Sequence, residues 1–191
     1  IFDIQDVGVR FYTYLSTLHY AMEAASRSNK KIIILDRPNP NSFYIDGPVL
    51  EKENSSFIGL HPVPIVYGMT IGEYGKMINE EGWLGEKMKA DLEVIKIENY
   101  THNMRYDPPV RPSPNLPNLQ SIYLYPSLAF LEKTEVSVGR GTKIQFQIYG
   151  HPDFKSGFSF TPMPNFGSQY PKLNGKLSFG EDLREYETNK I

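Results

Sequence analysis

One run of four apolar residues, Ile32–Leu35, constrains the fold of this chain more than any other feature. Three of the four are β-branched, which favours a strand buried on both faces. Before this run, the apolar positions of residues 9–29 recur at three- and four-residue steps, as on one face of a helix, and residues 1–6 are strand-like. Strand, helix and strand at this spacing predict a βαβ unit and therefore an α/β fold with a parallel sheet.

Two further stretches extend this pattern. Thr70 and Glu73 have the spacing of a capping box, so we predict a helix from Thr70 to Glu80, with Gly82 suited to its end. Residues 92–97 alternate apolar and charged side chains, which predicts a strand with one face in water.

A proline-rich segment, residues 107–117, divides the chain in two. It contains five prolines, a composition typical of a rigid linker or a domain boundary. We therefore predict an α/β domain over residues 1–106 and a smaller, loop-rich α+β domain over residues 107–191. In the second domain we expect a helix over residues 119–131, several short strands, and a further helix from Glu181 onward.

Charge and composition exclude several classes of protein. The 20 Lys and Arg residues against 22 Asp and Glu give a net charge of −2, which argues against a nucleic-acid partner and against a polybasic membrane-surface protein. Apolar runs stay well short of the roughly 20 residues of a membrane span. Because the chain has no cysteine, disulfide scaffolds, thiol nucleophiles and Cys-ligated zinc are excluded.

Polar side chains cluster after the first two predicted strands. Asp3, Gln5, Asp6 and Arg10 could orient a polar ligand, but Asp6 could equally cap a helix while Arg10 braces the turn by an ion pair. The segment Asp36-Arg37-Pro38-Asn39-Pro40 follows the second strand, at the sheet edge where open α/β sheets bind ligands. Its alternative is a loop held together by its own Asp and Asn side chains.

The second half of the chain carries two further candidate segments. Prolines flank Ser113, with Asn115 following, so this segment either lines a crevice or is a rigid connector. Arg140 lies between two glycines, with Thr142 after them, and its guanidinium could hold a carboxylate; the alternative is a tight turn. The four histidines have no metal-binding spacing, and no GxSxG or GxGxxG motif occurs. These residues alone therefore do not identify a reaction.

Seven segments in order resemble the NamZ-type exo-β-N-acetylmuramidases. They are IFDIQDVGVRFYTY, LDRPNP, DGPVL, YGMTIGEY, RPSPNLPNL, YPSLAFLEKTEVSVGRGT and DLR. The resemblance implies a Rossmann-like α/β domain with a smaller second domain, and an active site in the cleft between them. It also implies that this chain corresponds to the central part of longer relatives. Tyr67 stands where many members have His, and Gln145 replaces a usual proline.

The same resemblance implies an activity. A periplasmic or secreted glycoside hydrolase would remove non-reducing-end N-acetylmuramic acid from peptidoglycan-derived muropeptides or disaccharides, without a metal or redox cofactor. The family's proposed catalytic glutamate lies in a Pro-Glu-His-Gly motif that these residues lack, so it is expected upstream of Ile1. The alternative is a muropeptide- or glycan-binding protein without catalysis. A nucleotide-binding domain is disfavoured because the glycine fingerprint is absent.

The resemblance also suggests roles for individual residues. Asp6 or Asp36 would be the second carboxyl group of the reaction. Arg140 would hold the lactyl carboxylate of muramic acid, with Arg10 and Arg37 as alternatives. The predicted substrate-binding residues are Asp3, Gln5, Arg10, Arg37, Asn39, Ser113, Asn115, Arg140 and Thr142.

Overall fold

In the computed structural model, which describes residues 1–85 and 87–188, strand β1 (Ile32–Leu35) has a parallel partner on each side. On one side it pairs with β2 (Leu92–Ile95), with Ile32 opposite Leu92. On the other side Phe2 forms a single parallel bridge to Ile34. The predicted parallel sheet is confirmed. The strand predicted over residues 1–6 is reduced to the bridge at Phe2, because only that residue exchanges backbone hydrogen bonds with β1.

Two helices, α1 (Tyr14–Arg27) and α2 (Ile71–Glu80), provide much of the core around this sheet. The capping box predicted at the start of α2 is present, because the Thr70 side chain accepts from the Glu73 N–H and the Glu73 carboxylate accepts from the Thr70 N–H. Apolar side chains of both helices pack with those of β1 in one cluster: Leu15, Leu18, Met22, Ile32, Ile34, Ile71, Tyr74 and Ile78.

The chain forms two compact units, Ile1–Tyr106 and Asp107–Ile191. The second unit contains helix α3 (Leu119–Leu128), which continues as a 3₁₀ helix over Ala129–Lys133. Its strands are β3 (Ile148–His151), β4 (Phe158–Phe160) and β5 (Ser178–Asp182). They form an antiparallel sheet in the order β3-β5-β4.

The helix predicted from Glu181 onward is wrong over residues 181–187, and its last three residues lie outside the part of the chain that the structure describes. Glu181 and Asp182 are the last residues of β5, where they lie opposite Tyr149 and Ile148 of β3. Pairing with a strand that is distant in sequence decides their conformation, and a local pattern does not show such a partner.

Candidate functional site

Asp6 lies in the loop that follows the Phe2 bridge, and it is almost fully buried. Its Oδ2 accepts hydrogen bonds from the Tyr67 hydroxyl and, at 2.7 Å, from the Gly8 N–H. Its Oδ1 is also buried and accepts no hydrogen bond from the residues that the structure describes. Burial raises the pKa of Asp6 to about 6, although both hydrogen bonds act in the opposite direction. Asp6 therefore retains a proton at mildly acidic pH.

Gln5 and Asn39 lie where the loop that contains Asp6 meets the loop that follows β1. The Gln5 amide donates to the carbonyl oxygens of Asp6 and Pro38, each at 2.8 Å. The Asn39 amide donates to the Met69 carbonyl at 2.8 Å. Gly8 has a φ of +75°, and a Cβ there would lie 2.2 Å from Asn39 Oδ1. These contacts hold the two loops against each other at the carboxyl end of the sheet.

The remaining predicted side chains of the first unit are occupied by protein partners. Arg37 Nη2 lies 2.6 Å from Asp3 Oδ1, in a solvent-accessible ion pair. Arg10 Nη1 donates to the carbonyl oxygens of Pro48 and Val63. The role of Arg10 or Arg37 in binding a carboxylate stays a prediction.

Asp36 directly follows β1, and its carboxylate accepts hydrogen bonds from residues at the start of α2. Its Oδ2 accepts from the Thr70 hydroxyl at 2.7 Å, and its Oδ1 accepts from the Gly72 N–H at 2.8 Å. It borders a pocket of about 220 Å³ that Glu73 and Tyr100 also line. With both oxygens hydrogen-bonded, Asp36 has the contacts of a residue that anchors a helix N-terminus.

Arg140, predicted to hold a carboxylate of the substrate, is paired within the second unit. Its Nε lies 2.6 Å from Glu132 Oε1, and its guanidinium carbon lies 5.0 Å from the centre of the Phe146 ring. An arginine that already holds a carboxylate side chain would have to exchange that partner for the substrate. Its predicted role is not tested by these contacts.

Three loops of the second unit surround an open pocket of about 620 Å³, which we call the loop pocket. Of the predicted residues, Thr142 lines it directly. Asn115 and Ser113 are not among its lining residues: the Asn115 amide donates to the carbonyl of the lining residue Gly167 at 2.8 Å, and the Ser113 hydroxyl accepts from the Asn115 N–H at 3.2 Å. The lining residues are Arg111, Pro114, Pro117, Thr142, Lys143, Gln145, Asn165, Phe166 and Gly167.

Among the lining residues that the sequence did not indicate as site candidates are Arg111, Lys143, Gln145 and Phe166. They come from three loops that are far apart in the chain, so no spacing brings them together. The one signal available was position, because Arg111 directly precedes the Pro112-Ser113-Pro114 segment, and Lys143 and Gln145 follow Thr142.

Within residues 1–85 and 87–188, no three His, Asp or Glu side chains come together in a way that could hold a metal ion. No helix in this part of the chain combines the length and the apolar character needed to cross a bilayer.

Both parts of the chain match family models. Residues 1–120 match the N-terminal domain of the exo-β-N-acetylmuramidase NamZ, and residues 123–191 match its C-terminal domain. The peptidoglycan β-N-acetylmuramidase NamZ of Bacillus subtilis (strain 168) is 46% identical over 161 residues. That match covers 82% of this chain and 38% of the B. subtilis protein.

Two crystal structures of DUF1343 family proteins from Bacteroides fragilis have the same fold. One is 47% identical with a TM-score of 0.95, and the other is 28% identical with a TM-score of 0.86. Each match covers 98% of this chain and 53% of the B. fragilis chain. The chain thus spans about half the length of these structures and less of the B. subtilis protein.

Proposed function

The chain belongs to the NamZ family of exo-β-N-acetylmuramidases, and on this premise we propose that the protein is a glycoside hydrolase of peptidoglycan fragments. It would cleave the β-1,4 bond that follows a non-reducing-end N-acetylmuramic acid. The observation that carries the proposal is the 46% identity to the B. subtilis peptidoglycan β-N-acetylmuramidase over 161 residues. An identity this high, across both units, supports a shared substrate class.

Glycoside hydrolysis generally uses two carboxyl groups, one of which is protonated near neutral pH. Asp6 has the raised pKa that such an acid needs. However, Asp6 is only 4% exposed, and its hydrogen-bond partner Tyr67 is buried as well. We therefore propose that Asp6 is a positioning residue, which holds Tyr67 and the Gly8 turn, and that Asp36 anchors α2. The reacting carboxyl groups would then be other residues.

We also propose that the first unit forms part of a Rossmann-like sheet. Support comes from the parallel register of β1 and β2, the parallel bridge at Phe2, and helices α1 and α2 in the connections between these segments. A periplasmic or secreted location is part of the same proposal, since peptidoglycan lies outside the cytoplasmic membrane. Cell fractionation with an antibody to the protein would test the location.

The test of the activity is hydrolysis of a chromogenic β-N-acetylmuramide, with the matching β-N-acetylglucosaminide as the control. The two substrates differ only in the lactyl ether, so release from the muramide alone would support a muramidase. Release from the glucosaminide at an equal rate would overturn the proposed specificity. A folded protein that binds the muramide without releasing the chromophore would indicate a binding protein instead.

A further inference from the structure

Gln145 presents a buried hydrogen-bond acceptor in the lining of the loop pocket. The residue is only 7% exposed, and its Oε1 has no hydrogen-bond partner among the residues that the structure describes. A buried amide oxygen without a partner costs folding free energy, since it loses its hydrogen bonds to water. Because Gln145 lines the loop pocket, a ligand N–H or O–H group would remove this cost once the buried amide turns toward the pocket.

The charges of the loop pocket favour an anionic ligand. Arg111 and Lys143 line it, whereas its described lining contains no acidic side chain. Neither cation forms an ion pair within the described part of the chain, in contrast to Arg140, which is held by Glu132. A guanidinium and an ammonium group at one pocket are well suited to bind a carboxylate.

Phe166 adds an apolar surface to the pocket. It lies at the tip of a turn closed by two backbone hydrogen bonds between Asn165 and Ser168, of 2.9 and 3.1 Å. Asn165 also donates to the Thr142 carbonyl at 3.1 Å, and Asn115 donates to the Gly167 carbonyl at 2.8 Å. The turn is therefore tied to both other loops, yet the Phe166 ring is 94% exposed. An exposed aromatic ring on an anchored turn at the edge of a pocket offers a ligand an apolar face.

We propose that the loop pocket binds the carboxylate-bearing part of the substrate. The carboxylate would contact Arg111 and Lys143, and a ring face would pack on Phe166. A turn of the Gln145 amide toward the pocket would let an N–H or hydroxyl of the ligand donate to its Oε1. The pocket volume of about 620 Å³ accommodates a sugar with its substituent. The carboxylate is assigned to a muramyl ligand on the basis of the proposed function. Arg111 and Lys143 thus take the role that the sequence suggested for Arg140.

Direct binding tests this inference separately from hydrolysis. We would titrate the protein with N-acetylmuramic acid and with N-acetylglucosamine, and follow the heat of binding. Arg111→Gln and Lys143→Gln should each weaken binding of N-acetylmuramic acid by about tenfold or more, because each removes a charge-assisted contact. Lys155→Gln is the matched control, since Lys155 is exposed and is not part of the pocket lining. Equal affinity for the two sugars would overturn the proposal.

A second pair of variants tests the apolar contact. Phe166→Ala should weaken binding of N-acetylmuramic acid severalfold, whereas Tyr170→Ala should not, although Tyr170 is 93% exposed and lies only four residues away. Both side chains are solvent-exposed, so both variants should melt at the wild-type temperature. An equal effect of the two variants would contradict a specific ring contact at Phe166.

The carboxylate has two possible sources in a muropeptide, the lactyl group and the attached peptide. In a muramyl dipeptide the lactyl carboxylate is converted to an amide, while the peptide carries its own carboxylate. If Arg111→Gln weakens binding of N-acetylmuramic acid alone, the pocket binds the lactyl carboxylate. If it weakens binding of the dipeptide alone, the pocket binds the carboxylate of the peptide.

The outcomes separate this proposal from the proposed function. Muramidase activity with unchanged ligand affinity in Arg111→Gln and Lys143→Gln would overturn the pocket assignment and leave the enzyme assignment intact. Carboxylate-dependent binding without hydrolysis of either chromogenic substrate would support the pocket and contradict the enzyme.

Discussion

At the scale of single residues, Asp6 and Asp36 are two aspartates whose carboxyl groups have different hydrogen-bond partners. Asp6 has one oxygen that accepts two hydrogen bonds and one buried oxygen without a partner among the described residues. Both oxygens of Asp36 accept hydrogen bonds from the first turn of α2 or from Thr70. Desolvation by burial therefore raises the pKa of Asp6 and favours a proton on that carboxyl group.

Asp6→Asn and Asp36→Asn test the positioning roles of the two residues. Turnover of the chromogenic muramide by each variant should stay within about tenfold of wild type, since neither side chain is assigned to the reacting atoms. Asp36→Asn should also lower the free energy of unfolding by roughly 1–2 kcal/mol, because an amide accepts fewer of the hydrogen bonds at the start of α2.

Steady-state kinetics and urea unfolding of both variants provide the measurements. A loss of about a hundredfold or more in kcat for either variant, with its fold intact, would make that carboxyl a catalytic residue and contradict the positioning assignment.

Asp6 and His61 should affect stability in opposite directions as the pH falls. The pKa of Asp6 rises from 3.8 to about 6 on folding, so the folded state keeps a proton that the unfolded state releases, and Asp6 favours folding more at low pH. Burial and the neighbouring His19 lower the pKa of His61 from 6.5 to about 4, so the unfolded state binds the extra proton and stability falls. The two effects oppose each other between about pH 4 and 6.

Urea unfolding at pH 4.5 and 6.5 would separate the two contributions. Asp6→Asn should lose more stability than wild type between pH 6.5 and pH 4.5, by roughly 2 kcal/mol for a shift of this size. His61→Gln should lose less than wild type, because its unfolded state no longer takes up the proton. Identical pH dependence in wild type and both variants would show that neither group titrates as assigned.

The sequence could predict that polar loops follow the first strand segments, but not which partners the fold supplies. Gln5 donates to the Pro38 carbonyl, a contact between two loops that no spacing in the chain predicts. Likewise, glycines around Arg140 gave no indication that Glu132 would hold its guanidinium. The loop pocket escaped prediction because its walls come from three loops, and the acceptor on Gln145 matters only once it is buried.

At the scale of elements, helices with their own end signals were predicted more closely than strands. Helix α2 has its capping box inside its own sequence. In contrast, β5 depends on two partner strands and includes Glu181 and Asp182, for which the sequence predicted a helix. Strands in the second unit are three to five residues long, too short for alternation to determine their limits.

The central strand β5 should depend on the absence of a side chain at Gly180. A Cβ there would lie 1.8 Å from the Tyr149 carbonyl oxygen. Gly180→Ala should therefore lower the free energy of unfolding by about 1–3 kcal/mol or more, since the backbone of β3 must move. Gly157→Ala is the control, because a Cβ at Gly157 meets open space, and its effect should be within about 1 kcal/mol. Equal stability of the two variants in urea would contradict this packing.

At the scale of the whole molecule, the order of the motifs identified the family, and the match to both family models confirms it. The N-terminal family model ends at residue 120, within α3 of the second unit, whereas the first compact unit ends at Tyr106. Composition and spacing could not identify the reaction, because the carboxyl groups of a glycosidase converge in space from separate segments. The domain limits predicted from the prolines stay a prediction, because they describe two parts of the chain that would each fold on its own.

The most direct measurement of the proposed function uses two disaccharides with the same two sugars in opposite order. One has N-acetylmuramic acid at its non-reducing end, followed by N-acetylglucosamine, and the other has the reverse order. We expect the protein to release free N-acetylmuramic acid from the first and to leave the second intact, as detected by mass spectrometry of the products. Cleavage of the second disaccharide, or of neither by a folded protein, would contradict an exo-acting muramidase.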